Sequence, residues 1–244
     1  MHNNLPLHFF FDLDNTLTPS KSLIEPAHVP ILKKLAERAD VIVVSGHGEA
    51  DIRSHLTEEL HGSFYALGQN GNRAVTKDGT ILWNHSLNAG QREATLAFIA
   101  KARAFLNYKV KDENDIIEDR DSQIAFSLIG HHEDKAKKDA FDPRHEIRFK
   151  LLSDLAADVE ALNKAGVEVR IGGTTNLDFF EYGKNKGYNI AEFLKTMQWN
   201  KDDCLYIGDA LFPGGNDETV VGVIPTHAVQ DYNETYAYLE KVLS

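Results

Sequence analysis

Sulfur is scarce in this chain of 244 residues, which has one cysteine, Cys204, and two methionines. A single cysteine cannot close an intrachain disulfide or build an all-cysteine zinc site. A chain without disulfides is expected in a reducing compartment, here the cytoplasm. No apolar run approaches the roughly 20 residues that a membrane-spanning helix needs. Residues 5–11 are apolar, but the segment is short and contains Pro6 and His8. It lacks a basic flank and a small-residue cleavage site, so it reads as a buried strand and not as a signal peptide. Basic residues are outnumbered, 26 Lys and Arg against 37 Asp and Glu, for a formal charge of −11. Binding along a nucleic-acid backbone asks for the opposite balance, because phosphates are neutralised by Lys and Arg. A local basic pocket for a small phosphate ester stays open. The chain is otherwise 42% hydrophobic and 26% charged, enough to fill a core. Its length suits one large domain or two small ones.

Strands are expected at residues 8–11, 41–44 and 64–67. Helices are expected at 25–39, opened by Pro26 with Val29, Leu32, Leu35 and Ala36 on one stripe, and at 49–60. This βαβαβ rhythm implies a parallel sheet. Residues 73–76 and 80–83 flank Asp78-Gly79, a hairpin signal. The middle third differs in kind. A helix over 89–108, with Leu96, Ile99 and Leu106 at helical spacing, precedes strands at 116–119 and 123–129. A long helix over 144–165, stopped by Gly166, leads to strands at 167–171 and 177–180. The charged, histidine-rich stretch 130–148 reads as a solvated loop. After Gly187 the first rhythm returns, with a helix at 188–197, strands at 204–207 and 220–223, and a closing helix at 232–242. The expectation is an α/β core, residues 1–83 and 183–244, interrupted by an α+β insert, residues 84–182.

The chemistry concentrates where strands end. Phe9-Phe10-Phe11 runs straight into Asp12-Leu13-Asp14. In extended chain, residues two apart face the same way, so two carboxylates project from the carboxyl end of a strand, where open α/β sheets bind ligands. Adjacent carboxylates repel and want a cation or a shared proton, and hard oxygen ligands suit Mg²⁺. An Asx-turn is the plain alternative for Asp12. Ser45 follows residues 41–44, at a helix N-terminus suited to an anion. Asp209 follows 204–207, Asp217 lies a short loop later, and Lys186 sits where the chain re-enters the core. Each has an ordinary reading as cap, turn or surface residue, yet together they fall at strand ends or at the return to the core. His131-His132 looks like a metal pair, but no third ligand accompanies it at helical or strand spacing, so surface or anion contacts are expected there.

This order resembles the haloacid dehalogenase superfamily of phosphotransferases. Its Asp-x-Asp is matched by Asp12-Leu13-Asp14, its strand-ending hydroxyl by Ser45, its lysine by Lys186 with Lys184 as rival, and its acidic pair by Asp209 and Asp217. A closer similarity, in order and over almost the whole chain, is to the eukaryotic-type phosphomannomutases. It rests on Phe11 through Pro19, Gln69-Asn70-Gly71, Ile117-Glu118-Asp119-Arg120, Asn176-Leu177-Asp178-Phe179-Phe180, Gly208-Asp209, and Pro213-Gly214-Gly215-Asn216-Asp217. The resemblance implies a Rossmann-like parallel-sheet core with an inserted cap, and phosphate moved between the 1 and 6 oxygens of mannose through an aspartyl phosphate on Asp12. It implies Asp14 as acid–base, Ser45 and Lys186 as phosphoryl-holding catalytic residues, and Mg²⁺ held by Asp12, Asp209, Asp217 and the Asp14 backbone carbonyl. Substrate contacts fall at Lys21, Arg120, His131, Lys138, Asn176 and Asp178. The chain departs from the family pattern in several places. Asn15 stands for a glycine, Ser45-Gly46-His47 for Gly-Gly-Ser, and Asn176 for a serine. His131, Lys138 and Lys21 stand for arginines, and the loop after Asp217 is shorter. The expected partner is a small sugar phosphate, with no nucleic acid and no membrane, and a homodimer is compatible with it. Two alternatives remain open: a sugar-phosphate phosphatase on the same scaffold, and a non-catalytic phosphate sensor resembling a receiver domain, against which the large insert argues.

Overall fold

The computed structural model describes residues 5–106 and 108–244. β1 (His8–Phe11) is buried along its whole length, as a continuous aromatic run requires, since both of its faces must be covered. Phe9 and Phe11 enter one core with Leu32, Leu35 and Leu239. Phe10 points the other way, into a core with Ile190 and Phe193. α1 (Val29–Ala36) is shorter than expected and opens around Pro30, its second residue, not at Pro26. Pro30 has no N–H to bond the carbonyl four residues back, so a helix begun at 25 cannot run through it. β2 (Asp40–Val44) leads to α2 (Glu49–Leu56). That helix stops at Thr57, whose φ is 64°, and residues 58–60 form a separate 3-10 turn. β3 (Phe64–Gly68), β4 (Arg73–Val75) and β5 (Ile81–Asn84) complete this part.

The following segment has a sheet and helices of its own. α3 (Ala89–Leu106) buries Thr95, Phe98, Ile99 and Ala102; Leu96, expected on that stripe, is 47% exposed. β6 (Ile117–Asp119) and β7 (Gln123–Ser127) precede α4 (Lys135–Phe141), a helix inside the stretch expected to be loop. The long helix expected over 144–165 is two, α5 (Glu146–Asp154) and α6 (Ala156–Lys164), meeting at Leu155. An unbroken helix there would run about 33 Å, whereas the strands beside it extend about 20 Å. The break lets Leu151 and Leu162 both reach the same core. Arg148 is fully buried. Its Nε donates to Asp142 at 2.8 Å, and its Nη1 donates to the carbonyls of Gly172, Gly173 and Asn176 at 2.8, 2.9 and 3.1 Å. These are carbonyls of the turn between β8 (Val167–Gly172) and β9 (Asn176–Glu181), and a guanidinium buried with its charge has to find such acceptors.

The chain then returns through α7 (Lys186–Met197), β10 (Cys204–Gly208), β11 (Thr226–Ala228) and α8 (Tyr232–Leu243). No strand forms at 220–223. Val220 and Ile224 are buried, but Gly222 takes φ 87°, and pairing with β10 begins only at Pro225, whose carbonyl accepts the Tyr206 amide. Apolar character there reflects side-chain packing without a ladder.

The first sheet has the order β11-β10-β1-β2-β3-β4-β5. Strands β11 through β3 are parallel, and β4 and β5 add antiparallel at one edge. The second sheet, β6-β7-β9-β8, is antiparallel throughout. The fold class is thus α/β with a parallel-dominated sheet, interrupted by an α+β segment. By its contacts the chain divides into two compact units, the described part of Met1–Asn84 with Asn185–Ser244, and His85–Lys184. Among the described residues no helix is long and apolar enough to cross a membrane.

Candidate active site

In the first unit, Phe11 is in register with Val43 on one side and Ile207 on the other. The residues just beyond those strands, Asp12, Ser45 and Asp209, therefore emerge at one edge of the sheet. Asp12 is 3% exposed, and its amide donates to the Ile207 carbonyl at 3.1 Å.

Lys186 is the first residue of α7, after the Asn185 cap. A Cβ on Gly187 would lie 1.9 Å from the Thr219 carbonyl oxygen, so only glycine lets this helix start rest on the segment after Asp217. Lys186 Nζ then donates to Asp217 Oδ1 at 2.6 Å and to Asp12 Oδ1 at 2.8 Å, all three side chains being nearly inaccessible. The Tyr206 hydroxyl donates to Asp217 Oδ1 at 2.8 Å. Gly208 leaves room for that carboxylate, since a Cβ there would sit 2.3 Å from Asp217 Oδ2. Lys184, the rival lysine, belongs to the other unit and pairs with Glu181 at 3.0 Å.

Oxygens of Asp12, Asp209 and Asp217 all lie within 4.8 Å of one another. Three carboxylates thus gather beside one ammonium, which pairs with two of them. Burial, and then the charge of Asp217, push the Asp209 carboxyl up to about 6. Burial raises Asp12 well above the usual carboxylate range despite Lys186. Burial disfavours the Lys186 ammonium, but Asp12 and Asp217 outweigh it and keep it charged. The donor set is all oxygen and carries excess negative charge, which fits a hard divalent cation. Asn15 takes the left-handed φ of 56°, a region asparagine tolerates better than most residues, and its Nδ2 donates to Asp209 at 3.4 Å.

The Asp14 carboxylate stands outside this acidic group. His47 Nε2 lies 2.8 Å from its Oδ2, and the Lys21 amide donates to its Oδ1 at 2.6 Å. Burial pushes Asp14 up, but these two partners outweigh it and hold the carboxyl below its ordinary value. Only its backbone carbonyl is left for the metal role expected of it. Ser45 is 2% exposed and does not sit at the helix N-terminus expected for it, because α2 begins four residues later from a Gly48 cap. Its Oγ accepts the His47 amide at 3.2 Å, which leaves the hydroxyl hydrogen to donate elsewhere.

Five of the other expected residues lie in the second unit, beside its own polar groups. Arg120 Nη2 donates to Glu118 at 2.6 Å. Lys138, buried on α4, donates from Nζ to the His131 carbonyl at 2.6 Å. His131 is pushed down by burial, against the pull of Glu118 3.7 Å away. Asn176 and Asp178, two apart on β9, face the same side of that strand. His132 is exposed and pairs with Asp115. Lys21 is exposed in the first unit, with φ 51°.

Two residues of the site, His47 and Tyr206, were not among the sequence candidates. A hydroxyl two residues before Gly208 in an apolar strand and an imidazole two after Ser45 were the available signals.

A profile of the haloacid dehalogenase-like hydrolases matches residues 9–217. The chain is 29% identical over 215 residues to a phosphomannomutase of Oryza sativa subsp. indica, covering 85% of this chain and 83% of that one. It is 27% identical over 217 residues to human phosphomannomutase 1, covering 85% and 80%. Among solved structures, an IMP-bound, N-terminally truncated IMP-nucleotidase of Plasmodium falciparum superposes with TM-score 0.71 at 15% identity, over 99% of this chain and 69% of that one. A haloacid dehalogenase-like hydrolase from Bacteroides thetaiotaomicron gives 0.60 at 14%, over 96% and 98%. At such identities these two show the fold alone.

Proposed function

The chain belongs to the haloacid dehalogenase-like hydrolase family, and from that premise we propose that it transfers phosphate on a hexose phosphate through an aspartyl phosphate at Asp12, as a phosphomannomutase-like enzyme. The observation that carries this reading is the buried Asp12–Lys186–Asp217 network beside Asp209. Mg²⁺ would be held by Asp12, Asp209 and Asp217 with the Asp14 backbone carbonyl. When bound it offsets the repulsion between an anionic nucleophile and a dianionic phosphate. Asp12 attacks phosphorus in line and the bond to the sugar oxygen breaks. Lys186 and the Ser45 hydroxyl hold phosphoryl oxygens. Asp14, held as a carboxylate in the free site, takes up a proton as the ester binds, gives it to the departing oxygen, then takes one from the next attacker. Arg120, His131, Lys138, Asn176, Asp178 and Lys21 are assigned to the sugar and its distal phosphate. The similarity to phosphomannomutases supports the hexose phosphate, and the single cysteine supports a cytoplasmic enzyme.

A phosphatase outcome is favoured by one observation. The expected phosphate ligands of the insert are weak cations or already donate within the protein, since His131 is pushed toward neutrality and Lys138 donates to a main-chain carbonyl. Hexose 1- and 6-phosphates incubated with Mg²⁺ decide between the two. Interconversion without free phosphate establishes a mutase, phosphate release a phosphatase, and inertness toward every hexose phosphate refutes the substrate.

The acidic group also carries a pH prediction. Asp209 must lose its proton to bind a cation, so Mg²⁺ affinity is expected to rise as pH climbs through about 6, with protons released on binding. Calorimetry in buffers of different ionisation enthalpy measures both. Asp209→Asn should weaken binding about tenfold or more and flatten the pH dependence. A wild-type affinity that does not change with pH would remove Asp209 from the cation's ligands.

A further inference from the structure

His47 lies two residues past Ser45, in the loop that joins β2 to α2. Its Nε2 is 2.8 Å from Asp14 Oδ2, while the Lys21 amide holds Asp14 Oδ1 at 2.6 Å. Both oxygens of this carboxylate are therefore fixed, each with a lone pair still available. His47 is itself well held. Its carbonyl accepts the Gln69 amide at 2.8 Å and its amide donates to Ser45 Oγ at 3.2 Å. Its ring meets His55 edge-on with centroids 5.3 Å apart, and its Nδ1 lies 3.9 Å from Asp51. The Gln69 that accepts this duty has φ 55° and is followed by Asn70 at 58°, and such conformations persist only where surroundings enforce them. An aspartate without such partners turns about its two side-chain torsions.

We propose that His47 is a positioning residue for Asp14, holding its carboxyl where it passes a proton to and from the oxygen of the scissile phosphate ester. This rests on Asp14 being the acid–base group. Asp14 takes up a proton as the ester binds; as the P–O bond breaks, the departing oxygen's electron pair takes that proton and leaves a carboxylate, the form that the His47 and Lys21 contacts favour. His47 undergoes no net change; its contribution is the orientation of its neighbour.

The test uses the dependence on leaving group. An alkyl oxygen departs poorly without a proton, whereas nitrophenolate departs readily with none. In His47→Phe, single-turnover release of alcohol from an alkyl phosphate should slow about 10–100-fold, the scale of a misplaced acid–base group. Release of nitrophenol from nitrophenyl phosphate should change less than about threefold, with KM near wild type for both. His47→Gln, whose side-chain amide can donate near the place of Nε2, should regain most of the loss, and His47→Asn, which is too short, should not. Should the phenylalanine variant fail to fold, the Gln and Asn pair carries the comparison. No loss on the alkyl ester, equal losses on both esters, or Gln no better than Asn would overturn the proposal. Failure of the underlying reading looks different: Asp14→Asn would itself lose equally on both esters. Glycerol phosphate serves as the alkyl ester if hexose phosphates are not turned over, so failure of the sugar assignment also leaves the comparison readable.

Discussion

Asp12→Asn is expected to lower turnover by about 10⁴-fold or more, on the scale of removing an enzymic nucleophile, while the protein stays folded. An amide is nearly the same size as the carboxylate but does not attack phosphorus. The side chain is buried and sterically confined, so the substitution has to match its volume. Charge argues that stability survives. The wild-type group gathers three carboxylates with one ammonium that pairs with two of them, and Asp217, 2.6 Å from Lys186 in the wild type, stays available as its partner. In metal-free protein the thermal midpoint should therefore be no lower than wild type. Acid quenching with labelled substrate should trap a phosphoenzyme in the wild type and none in the variant. A folded variant retaining more than about one hundredth of the activity would exclude a covalent mechanism through Asp12.

Lys186→Met should cost about 3–5 kcal/mol of folding stability near neutral pH, the range for removing one partner of a buried ion pair, and should abolish turnover. Methionine fills a similar volume but leaves Asp12 and Asp217 buried without their shared counterion. Burial already raises the Asp12 carboxyl well above its ordinary value, and loss of the ammonium that opposes this would raise it further. The penalty is fully present above that raised value and shrinks as falling pH protonates the group. Urea denaturation at about pH 7 and about pH 5 measures the difference, which should be smaller at the lower pH. Lys186→Met with Asp217→Asn should recover much of the stability and none of the activity, separating the structural role of the ammonium from its phosphoryl-holding one. Wild-type stability of the single variant near neutral pH would mean that the ammonium is not the counterion of these carboxylates.

The elements that were legible in advance are those whose burial is one-sided or complete over a short local window. The aromatic run of β1 is an example. So are the β-branched run of β2 and the hairpin of β4 and β5, where period and turn chemistry agree. Errors arose where one local signal had two physical origins. Val220, Val223 and Ile224 pack their side chains without joining a ladder. The charged stretch 130–148 contains α4 and leads into a fully buried Arg148, because three turn carbonyls and Asp142 supply partners. Charge alone does not reveal whether such partners exist.

By itself, the sequence determined the α/β class, the interruption by an α+β segment, and the strand-end carboxylates Asp12 and Asp14. Each of these follows from periodicity and spacing within about 10 residues. Tertiary structure alone decided which side chains meet. Lys186 reaches Asp12 across 174 positions of chain, because β10 and β2 flank β1 in the sheet and Gly187 lets α7 rest on the Asp217 segment. His47 reaches Asp14 across 33, because β1 and β2 are parallel neighbours whose carboxyl ends lie at one edge. Local spacing carries no information about strand order. The electrostatics of the site, including the excess of carboxylate over ammonium that calls for a cation, exist only once that order brings the strand ends together.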